Sequence, residues 1–172
     1  MARQQKCNLV AFYKEIKTYK NKISLRTWTI LQKSGLWPII NPFFMDMVTE
    51  EQITKKEIDI AVILQHYDNE EQVFKFGEVT KQITQEDVNR IFGLPMKGKD
   101  FQFEKRQNRA DHPLIRDRFK DCKHAPTKTQ VDHALYKEMT NDDGTDPEHV
   151  ASLLVISLFT SFLFANSAST IS

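Results

Sequence analysis

The stretch FKFGEVTKQITQEDVNRIFGLPMKG, residues 74–98, constrains the fold most because several structural signals follow one another in it. Phe74 and Phe76 are two residues apart, which is the period of a β-strand. Gly77-Glu78 fits the two central positions of a type II′ turn, with glycine first. The segment from about Val73 to Ile83 is therefore predicted to form a β-hairpin.

The turn also predicts the register of that hairpin. Phe76 should pair with Val79 and Phe74 with Lys81, and Ile83 should lie on the same face. Because a lone hairpin is only marginally stable in water, we expect the apolar face to pack on a helix.

A short capped helix is predicted directly after the hairpin. Thr84 is the N-cap residue and Asp87, three positions later, completes a capping box. Gly93 is expected to take the left-handed conformation that ends a helix, and Pro95 prevents the helix from continuing.

The central helix is predicted between Thr54 and Asp68. Thr54 and Glu57 form a second capping box, and the apolar run Ile58–Leu64 leaves little polar face. This helix should be buried and carry the hairpin, which gives a mainly α fold with one small β-hairpin packed on a central helix.

Earlier in the chain, Ser24 is a plausible N-cap of a helix that Gly35 ends in the left-handed conformation. Asn41 should cap the next helix, with Pro42 at its first position.

Helices are also predicted in the second half of the chain. Two short amphipathic ones carry Leu114, Ile115 and Phe119, and Val131, Ala134, Leu135 and Met139. The last, Val150–Ala165, is capped by Asp146 and is apolar all round, but it is shorter than the roughly 20 residues that span a bilayer. We expect a core helix with no membrane partner, covered in part by protein beyond residue 172.

Composition limits the function classes. The 172 residues are 40% hydrophobic and 27% charged, which suits one globular domain with a core. A net charge of +1 predicts no attraction of the whole chain to nucleic acid or membranes. Cys7 and Cys122 form no disulfide framework, and the N-terminus lacks the apolar run of a secretory signal, so an intracellular protein is expected.

Residues 1–23 form a basic flank ahead of a single helical domain at 24–172. Its candidate nucleic-acid residues are Lys14, Lys17, Lys20, Lys22 and Arg26. Two interpretations stay open: a solvated flank, or a helix face that binds phosphates.

No catalytic, cofactor-binding or metal site is predicted. The sequence has no P-loop, dinucleotide fingerprint, nucleophile elbow or zinc-protease helix. His112, Cys122, His124 and His133 match no standard zinc spacing. We therefore expect a protein without enzymatic activity or cofactor.

The segment from Glu57 to Gly98 resembles the plant mobile domain family, also called aminotransferase-like. The family pattern is a helix ending in Trp-Asp, a Phe-containing strand, Gly-Glu, Thr-x-x-Asp-Val and Gly-Leu-Pro-x-x-Gly. SGLWPI before it and LFTSFLFANSAS after it are similar to the flanking segments. The matching positions, which we predict to be structural, are Asp68, Phe74, Gly77, Glu78, Thr84, Asp87, Val88, Gly93, Leu94, Pro95 and Gly98.

The resemblance implies a nuclear, transposon-related domain that acts through nuclear protein partners in transposon silencing or genome stability, and that continues beyond residue 172. Tyr67 stands where the family usually has Trp. This departure leaves open a neighbouring family found in transposon-encoded proteins that carry a Ulp1-like protease elsewhere. Oligomeric state stays open.

Overall fold

The computed structural model describes residues 9–54, 63, 65–97, 112–122, 126–140 and 145–163. The fold is mainly helical, as the sequence predicts, and it includes a small three-stranded antiparallel sheet. The elements are α1 (Leu9–Tyr19), α2 (Leu25–Lys33), α3 (Trp37–Phe44), α4 (Glu50–Ile53), β1 (Tyr67–Asp68), β2 (Val73–Phe76), β3 (Val79–Lys81), α5 (Gln85–Phe92), α6 (Pro113–Arg118), α7 (Lys128–Thr140) and α8 (Pro147–Leu158), which continues as a π-helix (Phe159–Leu163).

The core forms around α8, which packs against α7, α2 and α1. Leu153, Leu154 and Leu158 of α8 have no exposed surface. The apolar stripe predicted for α7 is confirmed, since Val131, Ala134, Leu135 and Met139 are all buried. Asp146 caps α8 as predicted, by accepting hydrogen bonds from the backbone N–H groups of Glu148 and His149. Among the residues that the structure describes, none of the helices has the length and apolarity needed to cross a membrane.

Helix α1 is part of this core. Phe12 and Ile16 have no exposed surface, and the ring of Phe12 lies 5.2 Å from that of Phe43, edge to face. The helical residues of the predicted basic flank therefore pack against the domain, with their apolar side chains inward.

The corner between α2 and α3 differs from its prediction. Ser24 caps α2 as expected, but α2 ends at Ser34 in an extended conformation, and Gly35 is not left-handed. Asn41 and Pro42 lie inside α3, which begins at Trp37 with Pro38 in its first turn.

Burial explains this difference in α3. Ile39, Ile40, Phe43 and Phe44 form one buried helical face, and burying four large side chains outweighs the single backbone hydrogen bond that Pro42 removes.

The hairpin has the predicted register: Phe76 pairs with Val79 and Phe74 with Lys81. Gly77 has a φ of 60° and Glu78 does not have positive φ, in keeping with a type II′ turn. The third strand, β1, was not predicted, because Tyr67 and Asp68 were assigned to the end of the central helix. Tyr67 instead pairs with Phe74.

Most of the predicted central helix, including Glu57 and nearly all of Ile58–Leu64, lies outside the described residues. Ile63 is helical and 43% exposed. The Thr54 hydroxyl donates to the carbonyl of Glu50 at 2.7 Å, at the end of α4.

The expected burial of the hairpin face was wrong. Phe76 is 43% exposed, Val79 52% and Ile83 61%, whereas Phe74 is half-buried. The hairpin therefore presents part of its apolar face to solvent.

Candidate interaction surface

Four exposed apolar residues lie on and beside the hairpin. Phe76, Val79 and Ile83 belong to the face described above, and Met96 follows α5. We call these four residues the apolar surface. Phe76 pairs with Val79, and Ile83 and Met96 line one cavity. Clustered exposed apolar side chains are typical of binding sites, so this is the candidate functional site.

Aromatic contacts hold the apolar surface in place from the sheet side. The rings of Phe74 and Phe76 are parallel, with centroids 6.1 Å apart. Tyr67 packs on Phe74 at 4.8 Å and His66 on Phe76 at 4.9 Å. The strands thus present a row of mutually packed rings, which lose little further freedom when a partner binds.

Two shallow cavities lie beside the apolar surface, and both are lined by Ile83. The first has a volume of about 290 Å³ and extends from Ile83 to Tyr67 and Phe74. The second has a volume of about 350 Å³ and extends from Ile83 along α5 to Met96. We call the two cavities together the Ile83 groove.

The turn between β1 and β2 is organised by Asp68. One carboxylate oxygen accepts from the N–H groups of Glu70 at 2.9 Å and Glu71 at 3.1 Å, and the other accepts from Lys75 Nζ at 2.8 Å. The bond from Lys75, followed by the two backbone bonds, lowers the pKa of Asp68 to about 2. Asp68 thus has a structural role.

The predicted capping box of α5 is present. The Thr84 hydroxyl accepts from the Asp87 N–H at 3.2 Å, and the Asp87 carboxylate accepts from the Thr84 N–H at 2.9 Å. The hydrogen bonds that the Thr84 N–H and, at 2.8 Å, the Thr84 hydroxyl donate to this carboxylate lower the pKa of Asp87. Gly93 ends the helix with a φ of 67°, as predicted.

Two glycines join the α5 region to the corner between α2 and α3. A Cβ at Gly93 would lie 2.8 Å from Cβ of Pro38, and a Cβ at Gly35 would lie 3.3 Å from Cγ of Pro95. Between them, the partly buried Leu94 packs on the core, and its carbonyl accepts from Asn89 Nδ2 at 2.6 Å. This reciprocal glycine–proline contact fixes the apolar surface to the helical body.

The other motif residues predicted to be structural occupy less enclosed places. Gly77 and Glu78 form the hairpin turn, and Val88 lines the second cavity of the groove. Gly98 lies outside the described residues.

The candidate nucleic-acid residues are mostly paired with carboxylates of the same chain. Lys14 lies 2.9 Å from Glu50, and Lys17 and Lys20 both bind Asp46. Arg26 lies 3.9 Å from Glu148. Among the described residues, Lys22 is the one candidate without an ion pair. The pairs are exposed and weak, so they reduce the local positive charge without preventing exchange of partners.

Comparison with known families finds a match over the second part of the chain. The family described as a domain of unknown function, DUF8566, matches residues 54–172. The chain belongs to the DUF8566 family. No curated protein and no solved structure matches the chain.

The DUF8566 match includes the whole sheet, α5 and the core helices α7 and α8, and therefore all of the apolar surface. It begins after α4, so the five candidate nucleic-acid residues lie outside it.

A buried carboxylate joins the N-terminal helix to the DUF8566 segment. Glu15 of α1 has a side chain only 9% exposed, and it accepts a hydrogen bond from the hydroxyl of Ser157. Lys128 Nζ lies 3.9 Å from Glu15 and donates to Ser157 at 3.3 Å. Burial raises the pKa of Glu15 to about 7, although Lys128 and Ser157 act in the opposite direction.

A second buried carboxylate lies within the DUF8566 segment. Glu138 of α7 has a fully buried side chain and pairs with Arg118 of α6. Nδ1 of His149 lies 3.4 Å from the same carboxylate, but neither this nitrogen nor Glu138 Oε2 makes a hydrogen bond. The cluster ties three helices together.

Neither buried carboxylate was predicted from the sequence, although the positions of both in the helical pattern indicate burial. Glu15 lies three residues after Phe12 and Glu138 three after Leu135, so each falls on the apolar stripe of its helix. A charged residue on the apolar stripe of a helix indicates a buried side chain that is paired with an opposite charge.

Within the described part of the DUF8566 protein, no group of His, Cys, Asp and Glu could hold a metal ion. His124 lies outside that part.

Proposed function

We propose that this chain is a non-enzymatic interaction domain that binds another protein through the apolar surface. The observation that carries the proposal is the exposure of Phe76 and Val79, which pair across the hairpin, and of Ile83, two residues beyond β3. Leaving these side chains in water forgoes about 25 cal/mol for each Å² of apolar area, which a protein partner recovers by covering them.

The attachment of this surface supports the same proposal. The glycine–proline contacts hold α5 and the following loop against the helical body, and the aromatic row supports the strands. A surface held in this way binds without a large ordering cost, because little of its conformational entropy remains to be lost.

The cellular setting is proposed from the resemblance of Glu57–Gly98 to the plant mobile domain family. It implies a nuclear, transposon-related protein with nuclear protein partners, acting in transposon silencing or genome stability.

The experiment compares the proteins that co-purify from plant cells with three tagged forms of the chain: wild type, a test form and a control. The cellular location of each form is imaged in parallel. The test form carries Val79→Asp and Ile83→Asp, and the control carries Leu25→Asp at a site that is 83% exposed on α2. We expect nuclear location for all three, and a partner set that the wild-type and control forms share and the test form loses. A partner set unchanged in the test form would refute the role of the apolar surface.

Nucleic-acid binding is the alternative function, and it is tested on the purified chain. If the purified chain binds DNA at 50 mM salt with an affinity that falls steeply as salt increases, the basic face of Lys14, Lys17 and Lys20 becomes the better assignment. We expect no such binding, because the pairs with Asp46 and Glu50 reduce the local positive charge and the net charge of the whole chain is only +1.

A further inference from the structure

The strand β3 has a free edge within the described part of the chain. The sheet order is β1-β2-β3, so β3 pairs with β2 on one side only. Val79, Thr80 and Lys81 are all exposed. An exposed edge strand is a template on which an extended segment of another protein can pair.

The hairpin register shows which backbone groups are available at this edge. The residues that close a two-residue turn exchange hydrogen bonds, and bonded and non-bonded pairs then alternate along the ladder. Phe76 and Val79 close the turn, so Lys75 and Thr80 form the non-bonded pair. The N–H and C=O of Thr80 therefore face away from β2. Consistently, the Lys75 N–H donates to His66, on the far side of β2, at 2.8 Å.

The Ile83 groove continues from the end of β3. Ile83, two residues beyond β3, lines both cavities, so a segment that pairs at Thr80 and continues past Lys81 would reach the groove at Ile83. Side chains from one face of such a segment would lie over the apolar surface.

The lining of the groove indicates the chemistry of its occupant. Every residue that lines the two cavities is uncharged. A charged side chain buried in either cavity would find no opposite charge among the lining residues, which is costly; Lys81, paired with Phe74, lines neither cavity. The side-chain amides of Gln72, Gln82 and Gln85 make no hydrogen bond to another described residue, so they are free to donate to and accept from a peptide backbone.

We propose that the partner segment is an uncharged, extended strand that pairs with the free edge of β3 and places alternate side chains in the Ile83 groove. This rests on the proposed function, because it specifies what the apolar surface binds. The partner is thus defined by its backbone conformation and by its lack of charge.

The test selects binders from a phage-displayed library of random linear decapeptides on the purified full chain. We expect the selected sequences to be depleted in Asp, Glu, Lys and Arg. Synthetic versions are then N-methylated one residue at a time. Since only every second amide of a strand faces its neighbour, binding should be lost at alternate positions and retained between them.

The matched protein variants are Thr80→Pro and Thr80→Val. Proline removes the outward N–H of residue 80 but leaves the bonds between β3 and β2, whereas valine keeps the N–H. We expect Thr80→Pro to weaken peptide binding about five- to tenfold, the size of one hydrogen bond, and Thr80→Val to change it little. If Thr80→Pro does not fold, the N-methyl scan decides.

Each other outcome overturns the inference in a recognisable way. Binding that Ile83→Asp abolishes but that tolerates Thr80→Pro and every N-methylation refutes strand pairing and leaves the proposed function intact. Enrichment of charged peptides refutes the uncharged occupant.

If analytical ultracentrifugation shows a dimer that Ile83→Asp dissociates, the surface binds a second copy of this chain and not a partner peptide. If no peptide binds while the cellular partner still depends on Val79 and Ile83, the partner presents a folded surface; if neither is found, the proposed function fails as well.

Discussion

A Cβ atom at Gly93 would lie 2.8 Å from Cβ of Pro38, closer than two carbon atoms pack without displacement. Gly93 also has a φ of 67°, so it has both a conformational and a steric reason to be glycine. The contact joins the end of α5 to the first turn of α3, although the two residues are far apart in sequence.

We predict that Gly93→Ala destabilises the protein by about 2–4 kcal/mol, from left-handed strain together with overpacking against Pro38. Gly77→Ala is the matched control, because Gly77 has a φ of 60° but nothing within 4 Å of its Cβ position. It should cost about 1–2 kcal/mol, from the backbone alone. Denaturant unfolding measures both, and equal losses would show that the contact with Pro38 has no energetic weight.

Glu15 should make stability depend on pH near neutrality. Its pKa in the folded protein is about 7, above the usual 4.5, so the folded state binds more protons than the unfolded state in this range. Stability should therefore fall as pH rises from about 4.5 to above 7, by roughly 3 kcal/mol from this group.

The groups that face Glu15 are Lys128, Asp132 and Tyr19, and the variant Glu15→Gln removes the titration while keeping an acceptor for Ser157. Its unfolding free energy should vary less between pH 5 and 8 than that of wild type. Glu50→Gln, at an exposed ion pair with Lys14, is the control and should retain the wild-type slope. An unchanged slope in Glu15→Gln would assign the pH dependence to other groups.

Arg118→Ala should be strongly destabilising because it leaves the buried carboxylate of Glu138 without its cation. We expect a loss of about 3 kcal/mol by chemical unfolding. Arg116→Ala, two residues earlier and exposed beside Asp117, should cost less than about 0.5 kcal/mol.

A double variant tests the cause of that loss. If the uncompensated charge is responsible, Arg118→Ala combined with Glu138→Leu should regain most of the stability. A double variant no more stable than Arg118→Ala would point instead to lost packing of the arginine side chain.

Thr84→Ala should destabilise α5 by about 1 kcal/mol, because the Asp87 N–H loses its capping partner. Thr84→Ser keeps the hydroxyl and should lie within a few tenths of a kcal/mol of wild type. Amide exchange at Asp87 and Val88 distinguishes fraying of α5 from global destabilisation, and equal protection in the alanine and serine variants would contradict the capping role.

The local features of the hairpin and of α5 were predictable from the sequence. The register at Phe76 and Val79, the capping box at Thr84 and the left-handed Gly93 depend on residues within a few positions of one another. The buried stripe of α7 was predictable for the same reason, because helical periodicity places Val131, Leu135 and Met139 on one face.

The errors arose where a distant contact outweighed a local signal. Pro42 indicated the start of a helix, but the burial of Phe43 and Phe44 extends α3 through it. Tyr67 followed a helical pattern, but pairing with Phe74 makes it a strand residue.

By itself, the sequence determined the hairpin turn, the caps at Ser24, Thr84 and Asp146 and the buried stripe of α7, because backbone sterics and short-range hydrogen bonds act between near neighbours. Only the tertiary structure decided that Gly93 meets Pro38, that Glu15 and Glu138 are buried, and that Val79 and Ile83 remain exposed. These contacts and exposures depend on which distant segments the folded chain brings together. The free energies of burial and ion pairing act only once those segments are in contact.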